Sequence, residues 1–196
     1  MKKIFLLILC CVPLFSFFSC NGSNSYVMPY APGVTVDRQA FADKKELWNS
    51  SKPDGYDYTF SFSNRNTNVN CVVDVTVRGG HVSSYVLKKF KGKTELESSE
   101  SEWNSNKETF DAELKNADGL LIENIYGLIE KDIGDEIAKY NNNSDCYYAN
   151  FAFNFIDRNP LLNSCVIDSV LMQEHLDGNG AHVEIKIENF RKFEEK

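Results

Sequence analysis

The chain has 196 residues, of which 42% are hydrophobic and 25% are charged, and its formal net charge is −7. This length suits one domain with a sizeable core. The acidic balance excludes nucleic acid as an expected partner, because phosphates are repelled by a negative surface. No apolar run is long enough for a protein with several membrane-spanning helices.

Residues 1–19 carry the parts of a secretory signal in the usual order. A basic start at Lys2 and Lys3 precedes an apolar run from Ile4 to Phe18. This run is shorter than the ~20 residues of a spanning helix, and a proline interrupts it. The segment is therefore predicted to be a signal peptide rather than a membrane span.

The signal ends at the small residue Ser19, directly before Cys20. This junction resembles a bacterial lipobox, in which the cysteine is diacylated and becomes the first mature residue. Phe17 and Phe18 depart from the strict pattern, and such relaxed boxes resemble those of spirochaetes. We therefore expect lipidation at Cys20 and a membrane partner through this anchor, in the bacterial cell envelope at the outer membrane. The alternative is plain cleavage near Ser19.

Three cysteines remain in the predicted mature protein: Cys71, Cys146 and Cys165. They permit one internal bridge in an oxidising compartment, and the sequence leaves the pairing open. The alternation of Cys71 with valines is typical of a small core residue. Zinc-ribbon and thioredoxin-like readings lack support, because the sequence has no C-x-x-C pair.

The residues that follow the signal divide into a tether and one domain. Residues 20–35 are rich in Gly, Ser, Asn and Pro and are predicted to be flexible, and 36–196 form the domain. Asp37 is predicted to cap a short helix that carries Trp48 and ends before Pro53.

Alternating residues predict strands in the first half of the domain. Residues 56–62 place four aromatic side chains on one face, and two further strands flank Gly79 and Gly80. A Gly-Gly pair suits the positive φ values of a tight hairpin turn. The predicted register pairs Val77 with Val82, Val75 with Ser84 and Val73 with Val86.

Residues 88–118 form a polar stretch, rich in Lys, Glu, Ser and Asn. It exceeds the ~15 residues that are normal for a structureless loop, which predicts either a mobile insertion or a functional loop. Trp103 and Phe110 lie in it. Exposed aromatic residues are frequent anchors for protein partners, so these two are the candidate partner-binding residues. In the alternative, both fold back and cover a sheet edge.

The second half of the domain begins with the principal helix. Asp118 is predicted to cap it, and isoleucines recur along it at helical spacing. Three strands follow, near residues 149, 161 and 181. The order of elements predicts an α+β fold, in which an antiparallel sheet of about six strands packs one long and one short helix on one face.

Four short motifs support a family resemblance: Trp48 before "YDYTF", "VDVTVRGGHV", "GLLIENIYGLI" and "FNFIDRNPLLNSCVID". With them, most of residues 46–190 resembles an uncharacterised family of bacterial secreted and lipid-anchored domains of unknown function. The chain has "DRNP" where that family has a Tyr-Gly-Tyr-Pro-like stretch, and it adds the polar stretch. The resemblance implies no activity.

One candidate metal site lies at the last predicted hairpin. A turn at Gly178 and Asn179 would set His175 opposite His182, with Glu184 on the same face. Imidazole and carboxylate groups are ligands that zinc accepts. Paired polar residues are, however, commonplace on the solvent face of a strand.

No catalytic constellation is recognisable in the sequence. There is no G-x-S-x-G motif, and His81 lies beside a hairpin turn, which is a poor place for a triad base. Asp157 and Asp168 are the candidate carboxylate pair, but chain spacing does not set their separation. We therefore expect a non-enzymatic binding or interaction module without a cofactor, which acts by binding a protein partner or a ligand, with residues 88–118 as a candidate binding segment. The alternatives are an envelope hydrolase that uses the candidate metal site and a structural subunit of an envelope assembly.

Overall fold

The structure is a computed structural model that describes residues 32–66, 69–143, 147–156, 160–171 and 181–193. In these residues, eight strands form one sheet: β1 Gly33–Thr35, β2 Tyr56–Asn64, β3 Val69–Arg78, β4 His81–Phe90, β5 Lys93–Thr94, β6 Tyr147–Phe155, β7 Leu162–Leu171 and β8 Ala181–Lys192. The α-helices are α1 Arg38–Ser51, α2 Glu100–Leu114 and α3 Ile122–Asn142. The predicted signal peptide, Cys20, Cys146, Asp157 and His175 lie outside the described residues.

The strand order in the sheet is β1-β6-β7-β8-β2-β3-β4-β5. Two antiparallel meanders, β2-β3-β4 and β6-β7-β8, join where β8 pairs with β2. The short strand β1 pairs with β6 in parallel. The α+β prediction is confirmed in outline, but the described part contains two more strands and one more helix than expected.

The hydrophobic core lies on one face of the sheet. Alternation along β2 buries Tyr56, Tyr58, Phe60 and Phe62, because side chains two apart point to the same side of a strand. Helices α1 and α2 contribute aromatic residues to the same face. The ring centroids are 4.9 Å apart for Phe41 of α1 and Phe153, 5.6 Å for Trp48 of α1 and Tyr56, and 5.9 Å for Phe110 of α2 and Phe90. Helix α3 adds Ile125, Ile129 and Ile133.

Helix α1 begins and ends as predicted. The carboxylate of Asp37 accepts a hydrogen bond of 2.9 Å from the backbone N–H of Ala40, which satisfies one unpaired donor of the first turn. The helix ends at Ser51, and Lys52 is already extended, as expected of a residue before proline.

The β3–β4 hairpin has the predicted turn but only part of the predicted register. Gly79 and Gly80 have φ values of +57° and +74°, and Val77 pairs with Val82 as expected. The other two predicted pairs are wrong by one residue. A bulge between Thr76 and Val77 shifts the register, so Val75 pairs with Tyr85 and Val73 pairs with Leu87.

The polar stretch 88–118 is not a structureless insertion. It contains the end of β4, β5 and all of α2. The N-cap of α2 is Ser99, whose side chain accepts a hydrogen bond from Glu102 N–H. Helix α2 has three buried residues, Trp103, Phe110 and Leu114. They are separated by seven and four positions and therefore lie on one face of the helix.

Two further boundaries differ from expectation. Residues 33–35, predicted to belong to the tether, form β1. Asp118 does not cap α3, because the N-cap of that helix is Leu121. The Asp118 carboxylate instead accepts a hydrogen bond of 2.9 Å from Val82 N–H and lies 3.0 Å from His81 Nδ1. Among the described helices, none combines the length and the apolar character that crossing a membrane requires.

Candidate functional site

The sheet face opposite the helices, which we term the open face, is polar. The same alternation that buries the aromatic residues of β2 directs Asp57, Thr59, Ser61 and Ser63 to this side, where all four are half-buried. The described helices pack on the other side. The open face is therefore a broad surface held rigid by hydrogen-bonded strands.

Among the described residues, four ion pairs form between charged side chains on the open face, whereas Glu188 is exposed there without one. The pairs, with their N–O distances, are Arg191–Asp57 at 2.9 Å, Lys88–Asp74 at 3.2 Å, Lys186–Glu184 at 2.9 Å and His182–Asp168 at 2.6 Å. Pairs as exposed as these contribute little to stability. Their main effect is electrostatic, because the positive and negative charges of each pair partly cancel over this face.

The His182–Asp168 pair is the most specific polar contact of the open face. The two residues are cross-strand neighbours on β8 and β7, and Nδ1 lies 2.6 Å from Oδ1. Because the carboxylate engages Nδ1, it fixes the orientation of the ring and leaves Nε2 outside this contact. This geometry suits an imidazole that donates to or accepts from a bound molecule.

The candidate metal site is only partly described. Glu184 pairs with Lys186 rather than with His182, and His175 lies outside the described residues. Over the ranges that the structure covers, no group of three or more His, Cys, Asp or Glu side chains is placed to hold a metal ion. The three-residue metal site stays a prediction.

Of the remaining candidate catalytic residues, the structure describes His81 and Asp168. His81 is exposed at the hairpin and pairs with Asp118, which agrees with its predicted position beside the turn. Asp168 is engaged by His182. Its proposed partner in a carboxylate pair, Asp157, lies outside the described residues, so that pair is untested.

Trp103 and Phe110 are buried rather than presented on a loop. Their exposed fractions are 2% and 7%, and the Phe110 ring centroid lies 5.9 Å from those of both Tyr85 and Phe90. The structure thus matches the alternative in which both residues fold back onto the sheet. In this conformation neither side chain is available to a partner.

The sequence patterns described above do not predict one feature of α3, a pair of buried carboxyl groups. Asp132 and Glu136 are each only 7% exposed. Glu136 accepts a hydrogen bond from the Tyr147 hydroxyl, and Lys139 Nζ lies 2.6 Å from its Oε1. Burial, the largest cause, raises the pKa of Asp132 to about 7, and the neighbouring carboxylates of Asp135 and Glu136 act in the same direction.

A sequence signal for this pair exists. Asp132 and Glu136 are three and seven positions after Ile129, so they fall within the apolar stripe of the helix, where an unpaired carboxylate is rare. The partner Tyr147 comes from β6, and no spacing within the helix indicates it.

Both described cysteines are free thiols in the core. Burial raises the pKa of Cys71 and of Cys165 to about 12, so neither forms a reactive thiolate at neutral pH. The prediction that Cys71 is a small core residue is confirmed. The structure provides no test of a bridge to Cys146, which lies outside the described residues.

Comparison with known proteins adds no identity to this geometry. No protein-family model matches the chain, and no curated protein matches it. The class is therefore defined by the fold itself: an α+β domain with a mostly antiparallel sheet, helices on one face and an open polar face on the other.

Proposed function

We propose that this protein is a lipoprotein of the bacterial cell envelope, acylated at Cys20, and that its domain is a non-enzymatic module that binds a protein partner through the open face. The Ser19–Cys20 junction after a short apolar run supports the anchor. The observation that carries the binding role is the local charge pairing of the open face in an otherwise acidic chain.

One segment on the helix side of the described domain carries an acidic excess, although Lys93 and Lys107 pair with two of its carboxylates. Residues 95–113 include Lys107 as their one basic residue and seven acidic ones: Glu95, Glu97, Glu100, Glu102, Glu108, Asp111 and Glu113. An acidic partner would be repelled there. Over the open face, paired charges reduce this repulsion, so a partner can approach closely.

The centre of the open face also has a suitable shape. β2 lies between β8 and β3 and presents the small side chains of Thr59, Ser61 and Ser63. Small side chains on a rigid sheet lose little conformational freedom when a partner covers them. The open face is thus preorganised for a broad, flat contact.

Site-specific photo-crosslinking in intact cells tests the binding role. A photoreactive residue at Ser61, on the open face, is expected to give one defined protein adduct. The matched control is Ser105, which is exposed on α2. The substitution Ser61→Arg, tested with a crosslinker at Ser63, should remove the adduct. Adducts at Ser105 but not Ser61 would refute the use of the open face, and adducts at neither position would refute the binding function.

The anchor is tested separately by labelling cells with a radioactive fatty acid. The wild-type protein should incorporate label, and Cys20→Ala should not. An unlabelled wild-type protein would overturn the lipoprotein proposal while leaving the crosslinking result intact.

A further inference from the structure

Helix α3 carries two carboxyl groups into the core, one helical turn apart. Asp132 and Glu136 both face the sheet, and each is buried. Glu136 is held by the Tyr147 hydroxyl of β6 and by Lys139. A buried charge is tolerated only with such partners. A negative charge on Asp132, in addition to that of Glu136, would therefore destabilise the packing of α3 on the sheet.

Within the described part of the chain, Asp132 forms no ion pair of its own. On α3, the nearby charges are those of Lys131, Asp135, Glu136 and Lys139, and each lysine already pairs with another carboxylate, Lys131 with Asp135 and Lys139 with Glu136. From β7, Cys165 lies close enough for the Asp132 charge to raise its pKa, and from β6, Tyr147 faces Glu136. Two other elements also pack on α3: strand β1, Gly33–Thr35, which has no titratable side chain, and helix α1, whose Lys45 pairs with Glu130.

We propose that Asp132 is a proton-operated latch, which holds the C-terminal half of α3, residues 132–142, against β6 and β7 while it is neutral. Loss of the proton places two negative charges at positions i and i+4 in an apolar interface. The helix end then opens so that water can solvate both carboxylates. The opening uncovers Cys165, which is fully buried in the closed state. The latch does not depend on the proposed binding function.

The two buried thiols provide an internal comparison. Cys165 lies beside Asp132, whereas Cys71 lies on β3, and the pKa of each is raised to about 12. Each therefore reacts with iodoacetamide only when its part of the fold opens. Because the thiolate chemistry changes both rates alike, the ratio of Cys165 to Cys71 alkylation cancels the pH dependence of the reagent.

The experiment measures this ratio by peptide mass spectrometry on the full-length protein between pH 6 and pH 8. A closed-state pKa near 7 and an ordinary pKa in the open state predict that the ratio rises about tenfold over this range. A ratio that stays flat in the wild-type protein would overturn the latch without any variant.

Two amide substitutions on α3 locate the effect. Asp132→Asn should hold the ratio constant with pH, because the amide has no proton to lose. Asp135→Asn is the matched control, since Asp135 is 42% exposed and paired with Lys131, and it should keep the tenfold rise. A rise that persists in Asp132→Asn, or that disappears in Asp135→Asn, would contradict the role of Asp132.

Discussion

The hydroxyl of Tyr147, the first residue of β6, donates a hydrogen bond to the carboxylate of Glu136 in the last turns of α3. This contact ties the principal helix to the start of the second meander. Both groups are buried, so the bond forms where water cannot replace it. The junction between helix and sheet therefore depends on a polar contact as well as on apolar packing.

Replacing Tyr147 by Phe should lower the free energy of unfolding by roughly 1–3 kcal/mol, because the buried Glu136 loses one of its partners. Urea denaturation at neutral pH measures this change. The matched control is Tyr85→Phe, whose hydroxyl donates to Asp111 at 2.8 Å in an exposed setting. Its loss should stay below about 1 kcal/mol, and equal losses for the two variants would contradict the prediction.

Asp132 should make the stability of the protein fall as pH rises. Its pKa is raised from 3.8 to about 7 in the folded state, so between these values the folded protein holds a proton that the unfolded chain has released. The contribution of Asp132 to the free energy of unfolding is fully present below pH 4 and is lost by about pH 7. The stability gained by Asp132→Asn over wild type should grow across this window by up to roughly 4 kcal/mol and level off above it. Denaturation curves at pH 4, 5.5, 7 and 8 decide this, and a constant difference would refute it.

Trp103 should matter for folding and not as an exposed anchor. Trp103→Ala removes a buried indole and should cost roughly 3–5 kcal/mol. Leu96, also in the polar stretch 88–118, is 98% exposed, and Leu96→Ala should change stability by less than about 0.5 kcal/mol. Thermal unfolding of both variants provides the comparison. A Trp103→Ala variant as stable as Leu96→Ala would mean that α2 does not pack on the sheet as described.

Two glycines should respond to alanine with opposite signs. Gly80 has φ at +74° in the hairpin turn, and Gly80→Ala should cost roughly 1 kcal/mol because an L side chain is strained there. Gly134 lies within α3, and a Cβ there would meet nothing within 4 Å. Gly134→Ala should stabilise the protein by roughly 0.5–1 kcal/mol. Chemical denaturation measures both, and changes of the same sign would contradict the local conformations.

Sequence reasoning succeeded where local rules decide the structure. Alternation identified the main strands, and capping and turn chemistry placed Asp37 and the Gly-Gly turn correctly. It failed where a partner decides. Strands β1 and β5 have three and two residues and exist because β6 and β4 pair with them. Helix α2 buries only three side chains, so its own sequence looks polar.

The candidate site shows the same division. His182 was recognised as a polar residue on the solvent side of its strand, but its partner Asp168 follows from the β7–β8 register and not from chain spacing. The isoleucine pattern alone accounts for a helix, so it does not indicate the buried pair on α3. A search for carboxylates inside an apolar stripe would have found Asp132 and Glu136.

The route of the chain through the sheet has a consequence for how the domain would stand at a bilayer. The chain enters along β1 with Gly33 beside Tyr148, at the end of the sheet where β6 begins, and β8 leaves at the opposite end with Lys192 beside Tyr56. A lipid at Cys20 would be joined to the first end, because Cys20 precedes Gly33 by thirteen residues. The nine residues of β2 separate the two ends by about 30 Å at ~3.4 Å per residue, so a reporter attached at Lys192 would lie at the end of the sheet opposite the one that β1 enters.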